Sequence, residues 1–227
     1  MPSVTKVIDE IINRSPFLRE SLSENLINVS ALARKIKPEI EDRINKDVNT
    51  GAIVMAIKRV SPTFYNEIQD SIKNFMGAIG DFLVRSDLES FTFENSESLN
   101  ECQAEMMKTL NSEINPFYTF SRGINETSII TNSSLAKLLK ETFKNEILKS
   151  HTKELASITT KLPTENTQLS GIYYYILKQL AWEGINIIEV ISTTNEFTII
   201  VKADDIDLAF SVMMQLKKDG KKSLHQS

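Results

Sequence analysis

The chain has 227 residues and 25.7 kDa, with 26 Lys+Arg against 30 Asp+Glu, a net charge of −4 and a pI near 5.4. With 41% hydrophobic and 25% charged residues it is too apolar for a disordered chain. Its charge is too even for a membrane protein, and the chain as a whole is not a basic nucleic-acid binder. A single Cys, Cys102, excludes an internal disulfide and a metal cluster built on Cys, and His151 and His225 are the only histidines.

The first 80 or so residues read as helical. Val7, Ile8, Ile11 and Ile12 make an apolar face on a helix over 5–14. Ser15-Pro16 opens a second helix, with Pro at a tolerated first position. Asn28-Val29-Ser30 is a break, Ser30 the expected cap of a helix over 31–36, and Pro38 a bend. A second break at Val48-Asn49-Thr50 precedes a helix over 51–60 that places Ile53, Ala56, Ile57 and Val60 on one face. Ser61-Pro62 starts a further helix through Ile68, Ile72 and Met76. Strand periodicity begins only after Phe82.

From there the spacing predicts a strand over 89–94, a helix over 99–110, strands over 117–122 and 127–131, and a helix over 135–148. The same order returns as a strand over 154–162, a helix over 169–183, strands over 187–192 and 197–202, and a helix over 204–217. Asp87-Leu88 and Ser90 echo Glu154-Leu155 and Ser157; Ile114-Asn115 echoes Ile185-Asn186; Asn125-Glu126 and Ile129-Ile130 echo Asn195-Glu196 and Ile199-Ile200. Three matches in one order, at equivalent places, make an internal repeat.

Gly171-Ile172 followed by Gly184-Ile185-Asn186-Ile187 resembles the ACT domain, a βαββαβ amino-acid-binding module often found in pairs. Glu189 to Val201 is most similar to the regulatory region of aspartate kinases. The resemblance covers 154–218 well and 87–148 weakly. Ahead of Gly171 the chain has Gln168-Leu169-Ser170 where family members usually carry Asp and, directly before the Gly, Pro. The first repeat lacks both glycines, and its ligand loop, 94–98, is shorter. The expected fold is therefore α+β: a helical domain over 1–83, two ferredoxin-like, ACT-type units over 84–149 and 150–218, and a basic tail over 219–227. The resemblance implies a small amino acid as ligand, held by Glu165, Asn166, Thr167, Gln168, Gly171, Asn186 and Ile187. Gly171 would admit the ligand close to backbone, free N–H groups at the helix start would hold its carboxylate, and Asn186 would meet its polar groups.

No phosphate-binding glycine loop occurs, and an aspartate kinase catalytic domain does not fit in the first 80 residues. Cys102 and His151 are a conceivable nucleophile and base, but Cys102 sits among Met106 and Met107 on a helix and reads as structural. No catalytic set, metal site or cofactor is expected. In the helical domain the residues over 28–60 carry seven Lys/Arg against four acids. Two helices there resemble a helix-turn-helix motif, separated by about thirteen residues, with Arg34, Lys37, Asn49, Thr50, Lys58 and Arg59 as candidate DNA contacts. Two readings follow. In the first, a non-catalytic amino-acid sensor relays ligand binding to the helical domain, which acts on DNA as a transcriptional regulator. In the second, a detached regulatory subunit serves an amino-acid biosynthetic enzyme. Paired units with sheet edges to cover imply a homodimer or higher oligomer. The N-terminus has no signal-peptide core and no membrane span is expected, so the expected location is the cytoplasm.

Overall fold

The computed structural model describes residues 2–59, 63–110, 115–164 and 168–224. The chain divides into two compact units, Met1–Ile72 and Lys73–Ser227.

The first unit is helical. Helix α1 spans Val4–Asn13, capped by the Ser3 side chain, and buries Val7, Ile8, Ile11 and Ile12. Helix α2 spans Pro16–Ser23, with Pro16 in its first turn and Ser15 as cap. Helix α3 spans Val29–Ile44 and α4 spans Thr50–Arg59. Their apolar faces share one core in which Ile8, Ile40 and Ile53 are fully buried. The cap of α3 is Asn28, which accepts from the Ala31 N–H, rather than Ser30. Pro38 lies inside α3, because Ile36, Ile40 and Ile44 on its buried face carry the helix past it. The two helices are thus separated only by residues 45–49, closer than the sequence spacing suggests. Helix α5, Thr63–Ala78, follows; its expected start at Ser61-Pro62 lies outside the described residues.

The second unit is built on a six-stranded antiparallel sheet: β1 Phe82–Glu94, β2 Tyr118–Arg122, β3 Glu126–Asn132, β4 Leu148–Lys161, β5 Ile187–Ser192 and β6 Glu196–Lys202. The strand order is β2-β3-β1-β4-β6-β5. Helices α6 (Leu99–Leu110), α7 (Ala136–Thr142), α8 (Ile172–Trp182) and α9 (Ile206–Leu224) complete it. The long strands β1 and β4 cross both repeats. The first half of β1 pairs with the second half of β4, so the repeats exchange strands along the chain. The expected boundaries at 83/84 and 149/150 therefore fall inside β1 and β4. At the crossing, Leu88 stands opposite Leu155, its own equivalent in the repeat, and both are fully buried. One bulge precedes this pair on β1 and one on β4, and each contains a left-handed residue, Asp87 (φ 54°) and Glu154 (φ 56°). The internal repeat read from the sequence is thus a pseudo-twofold axis through Leu88 and Leu155.

Two helix expectations are corrected here. The helix expected over 135–148 stops at Thr142. Phe143 packs on Phe93 with ring centroids 5.1 Å apart, and Leu148 already pairs with Phe93 in the sheet. The last helix, in turn, does not end at Lys217 in a solvated tail; α9 runs to Leu224. Gly220 is buried against the backbone of Lys73 and Gly77 in α5, and the Lys217 ammonium donates to the Gly80 carbonyl at 2.7 Å.

One face of the sheet carries Phe91, Phe93 and Ile129 against α6 and α7, and Phe197 on the same face stacks with Tyr173 of α8. The opposite face gathers Leu88, Ile130, Leu155 and Ile200, covered by Phe117, Ile188 and Ile191. Simple alternation puts Ile188 and Ile191 on opposite faces of β5. The register shift between Ile187 and Glu189 places both on this inner face. The sheet curls enough that Ser128 on β3 donates to Glu189 on β5 at 2.9 Å, although three strands lie between them.

Candidate functional site

The second repeat places Gly171, one of the expected ligand residues, at the start of α8. Gly171 caps the helix with φ 91°, a left-handed conformation that side chains resist, and among the described residues no side chain bonds to the first N–H groups. Those groups and the helix dipole favour an anion. Tyr173, one turn in, stacks on Phe197 at 5.2 Å and exchanges a 2.7 Å hydrogen bond with Ser192. Gln168 is exposed beside this turn, while Glu165, Asn166 and Thr167 lie outside the described residues.

Asn186 and Ile187 are at the other end of α8. Gly184 (φ 74°) ends the helix: its N–H donates to the Ala181 carbonyl and the Ile185 N–H to that of Leu180, the Schellman arrangement. Gly184 is therefore a helix stop, and Asn186, just beyond it, is exposed. A helix of the length of α8 spans about 16 Å, more than a small amino acid bridges. Within one chain, Gly171 and Asn186 do not meet.

The equivalent place in the first repeat is filled from within. The Glu146 carboxylate lies at the start of α6, accepting from Ser96 Oγ at 2.5 Å and Ser98 Oγ at 2.6 Å, with Cys102 Sγ at 3.8 Å. Burial pushes the Glu146 carboxyl up, but the three hydrogen bonds outweigh it and hold the group below its ordinary value. Burial, and then the Glu146 charge, push the Cys102 thiol up. Asn95 of the same loop bonds to the Gly123 carbonyl and Thr127. Sequence reasoning missed Glu146 because it lies on a segment read as helix. Glu146→Gln is expected to cost about 1 kcal/mol at neutral pH, since a charged acceptor of two hydroxyls is lost at a partly exposed site. A carboxyl lowered by folding contributes stability above its unfolded pKa and loses it as pH falls through the folded value. The gap between wild type and variant in urea melts should therefore close on acidification; a gap constant down to about pH 3 would contradict the assignment.

Cys102 and His151 are not brought together as nucleophile and base. His151 lies 2.5 Å from a Glu89 carboxylate oxygen and stacks on Phe91 at 4.2 Å, while Cys102 faces Glu146. In the helical unit, Asn49 accepts from the Gly51 N–H at 2.7 Å and so caps α4, and Lys37 pairs with Glu41 at 3.4 Å. Thr50 is half-buried in the first turn, whereas Arg34, Lys58 and Arg59 are exposed.

No protein-family model matches the chain, and no curated protein matches it. Among solved structures, an aspartate kinase from Clostridium acetobutylicum, described as an allosteric enzyme, is similar over 62% of this chain and 35% of its own, with a TM-score of 0.50 and 16% identity. The ligand-free regulatory subunit of aspartate kinase from Thermus thermophilus is similar over 61% and 98%, with a TM-score of 0.49 and 10% identity. The chain thus spans about a third of the Clostridium enzyme. At this identity the likeness is one of fold alone. Among the described residues, no helix is long and apolar enough to cross a membrane.

Proposed function

We propose that the protein is a non-catalytic regulatory module that binds a small amino acid at the start of α8 and acts on a biosynthetic enzyme as a detached regulatory subunit. The observation that carries this reading is the α8 start: a left-handed Gly171 beside first-turn N–H groups that no side chain caps among the described residues. An amino acid's carboxylate suits those donors. Its polar groups would meet an Asn186, and the distance along α8 requires that Asn186 to come from a second copy. The reading thus includes a homo-oligomer. The fold shared with an allosteric aspartate kinase favours an enzyme partner over DNA. The helical unit points the same way: Asn49 and Lys37 of the expected DNA set are engaged within it.

A thermal-shift screen of the full chain over the twenty amino acids tests the reading. A ligand bound only by the native state at a hundred times its Kd adds about 2.7 kcal/mol of apparent stability, so one amino acid or a small group should raise the Tm by several degrees. A flat response across all twenty would end it. A parallel titration with mixed-sequence duplex DNA at low salt is expected to show no salt-dependent binding. Binding that Lys58→Glu with Arg59→Glu abolishes would restore the DNA reading.

A further inference from the structure

The inner face of the first repeat holds an unusual row. The pairing of β2, β3, β1 and β4 places Ser121 opposite Ser128, Ser128 opposite Thr92, and Thr92 opposite Ser150. The next row toward the axis adds Ser90 opposite Thr152. All six hydroxyls point to the face away from α6 and α7, and together they line a cleft of about 460 Å³ with Gly123, Glu126, Ile188 and Glu189. Glu189 enters from the far strand because the β5 bulge turns it inward.

Three features mark this cleft as more than a polar surface. First, Ser90 is only 8% exposed, lines the cleft, and has no hydrogen-bond partner for its hydroxyl among the described residues. The hydroxyl opens onto the cleft, where it can donate to or accept from a ligand's polar group. Second, the pseudo-twofold mate of the site is different. The equivalent row in the second repeat is Ile191, Thr198, Thr159 and Leu83, and its two threonines bond each other at 2.8 Å. Where Ile188 lies in this cleft, the mate has Phe117, with the Arg85 guanidinium over its ring. One copy of the duplicated surface mixes Ile191 and Leu83 with two threonines that bond each other, while the other keeps an unbroken row of hydroxyls. Third, the lining charge is of one sign: Glu126 and Glu189 are its only charged residues.

We propose that this cleft binds a small organic ammonium ion. An ammonium group is a compact cation with three donors and no acceptor, and it matches carboxylates flanked by hydroxyl oxygens. Glu189 and Glu126 supply the charge, the hydroxyl row takes the remaining donors, and the Ile188 side chain lies along the aliphatic part. A divalent metal ion fits less well: among the described residues no three His, Cys, Asp or Glu side chains gather, and hard cations seek several carboxylate or carbonyl oxygens. The site is separate from the α8 start and does not depend on the reading given for it.

Calorimetric titration of the full chain with 1,4-diaminobutane tests the proposal, with butane-1,4-diol and MgCl2 as controls at matched ionic strength. Saturable binding of the diamine and none of the diol is expected. Glu189→Gln, which keeps an acceptor for Ser128, and Glu126→Gln should each weaken binding about tenfold, the scale of one charge-assisted contact. Amide shifts on titration should centre on Ser90, Thr92 and Ser128. Near-UV circular dichroism checks that the variants remain folded, and Lys221→Ala, exposed and away from the cleft, should bind the diamine as wild type does. The proposal is overturned by no saturation at millimolar diamine, by equal binding of the diol, by tighter binding of Mg2+, or by unchanged affinity in both glutamine variants.

Discussion

Replacing Gly220 by alanine is expected to lower the stability of the strand-bearing unit by about 2–3 kcal/mol, the upper range for forcing one extra carbon into a packed contact. A Cβ at this position would lie 2.3 Å from the Gly77 nitrogen, 2.4 Å from the Lys73 carbonyl oxygen and 2.9 Å from the Gly77 Cα. All three are backbone atoms of α5, so no side chain can rotate aside. Either α9 lifts off α5 or its last turns fray. Urea melts monitored by circular dichroism give the cost, and hydrogen exchange over residues 73–78 should rise in the variant. Lys221→Ala, one residue on and exposed, should stay within about 0.5 kcal/mol of wild type. A Gly220→Ala melt that overlays the wild type would show that the helices do not approach so closely. Gly184 offers a contrast. A Cβ there meets nothing within 4 Å, so alanine should cost only the strain of φ 74°, about 1 kcal/mol.

Much of the fold is legible in the sequence where one periodicity dominates. The apolar spacing of Val7, Ile8, Ile11 and Ile12 gives α1, and Leu99 to Leu110 gives α6 at the observed bounds. The repeat is legible because Asp87-Leu88 and Glu154-Leu155 occupy the same bulge-and-axis position, which restricts both. The remainder depends on pairings distant in sequence. The first half of β4, Leu148 to Lys153, is largely polar because its inner face borders the hydroxyl cleft, so it shows no strand alternation. The extension of α9 is set by a glycine pair more than 140 residues apart, and Gly220 by itself reads as a helix stop. Of the ligand site, Gly171 is legible as a backbone requirement. The separation of Gly171 from Asn186 is not, because a glycine-to-glycine spacing fixes a helix length without saying that its ends lie far apart.

Gly171→Val should abolish amino-acid-dependent stabilisation, and this is the second large effect expected. At φ 91° a β-branched residue is strained by about 1–3 kcal/mol, so the variant should melt below wild type without ligand. More importantly, either the helix start moves to relieve the strain, or the valine side chain stands where the carboxylate would approach the first-turn N–H groups. Both routes remove the donors. The informative quantity is each protein's own ligand-induced shift, which separates lost binding from lost stability. Asn186→Ala should keep the fold, because the side chain is exposed, and weaken binding by about 1–3 kcal/mol, the cost of an unpaired polar contact. Asn115→Ala should do less, because the α6 start of its repeat already holds Glu146. Titration of wild type and the three variants with the amino acid returned by the screen decides among the sites. Equal affinity in wild type and Gly171→Val would move the ligand away from α8. A larger loss at Asn115 than at Asn186 would place it in the first repeat, with Glu146 displaced on binding. Mixing Gly171→Val with Asn186→Ala chains tests the oligomer as well. If one copy supplies the glycine and another the asparagine, a mixed pair regains one intact site, and the ligand shift should partly return.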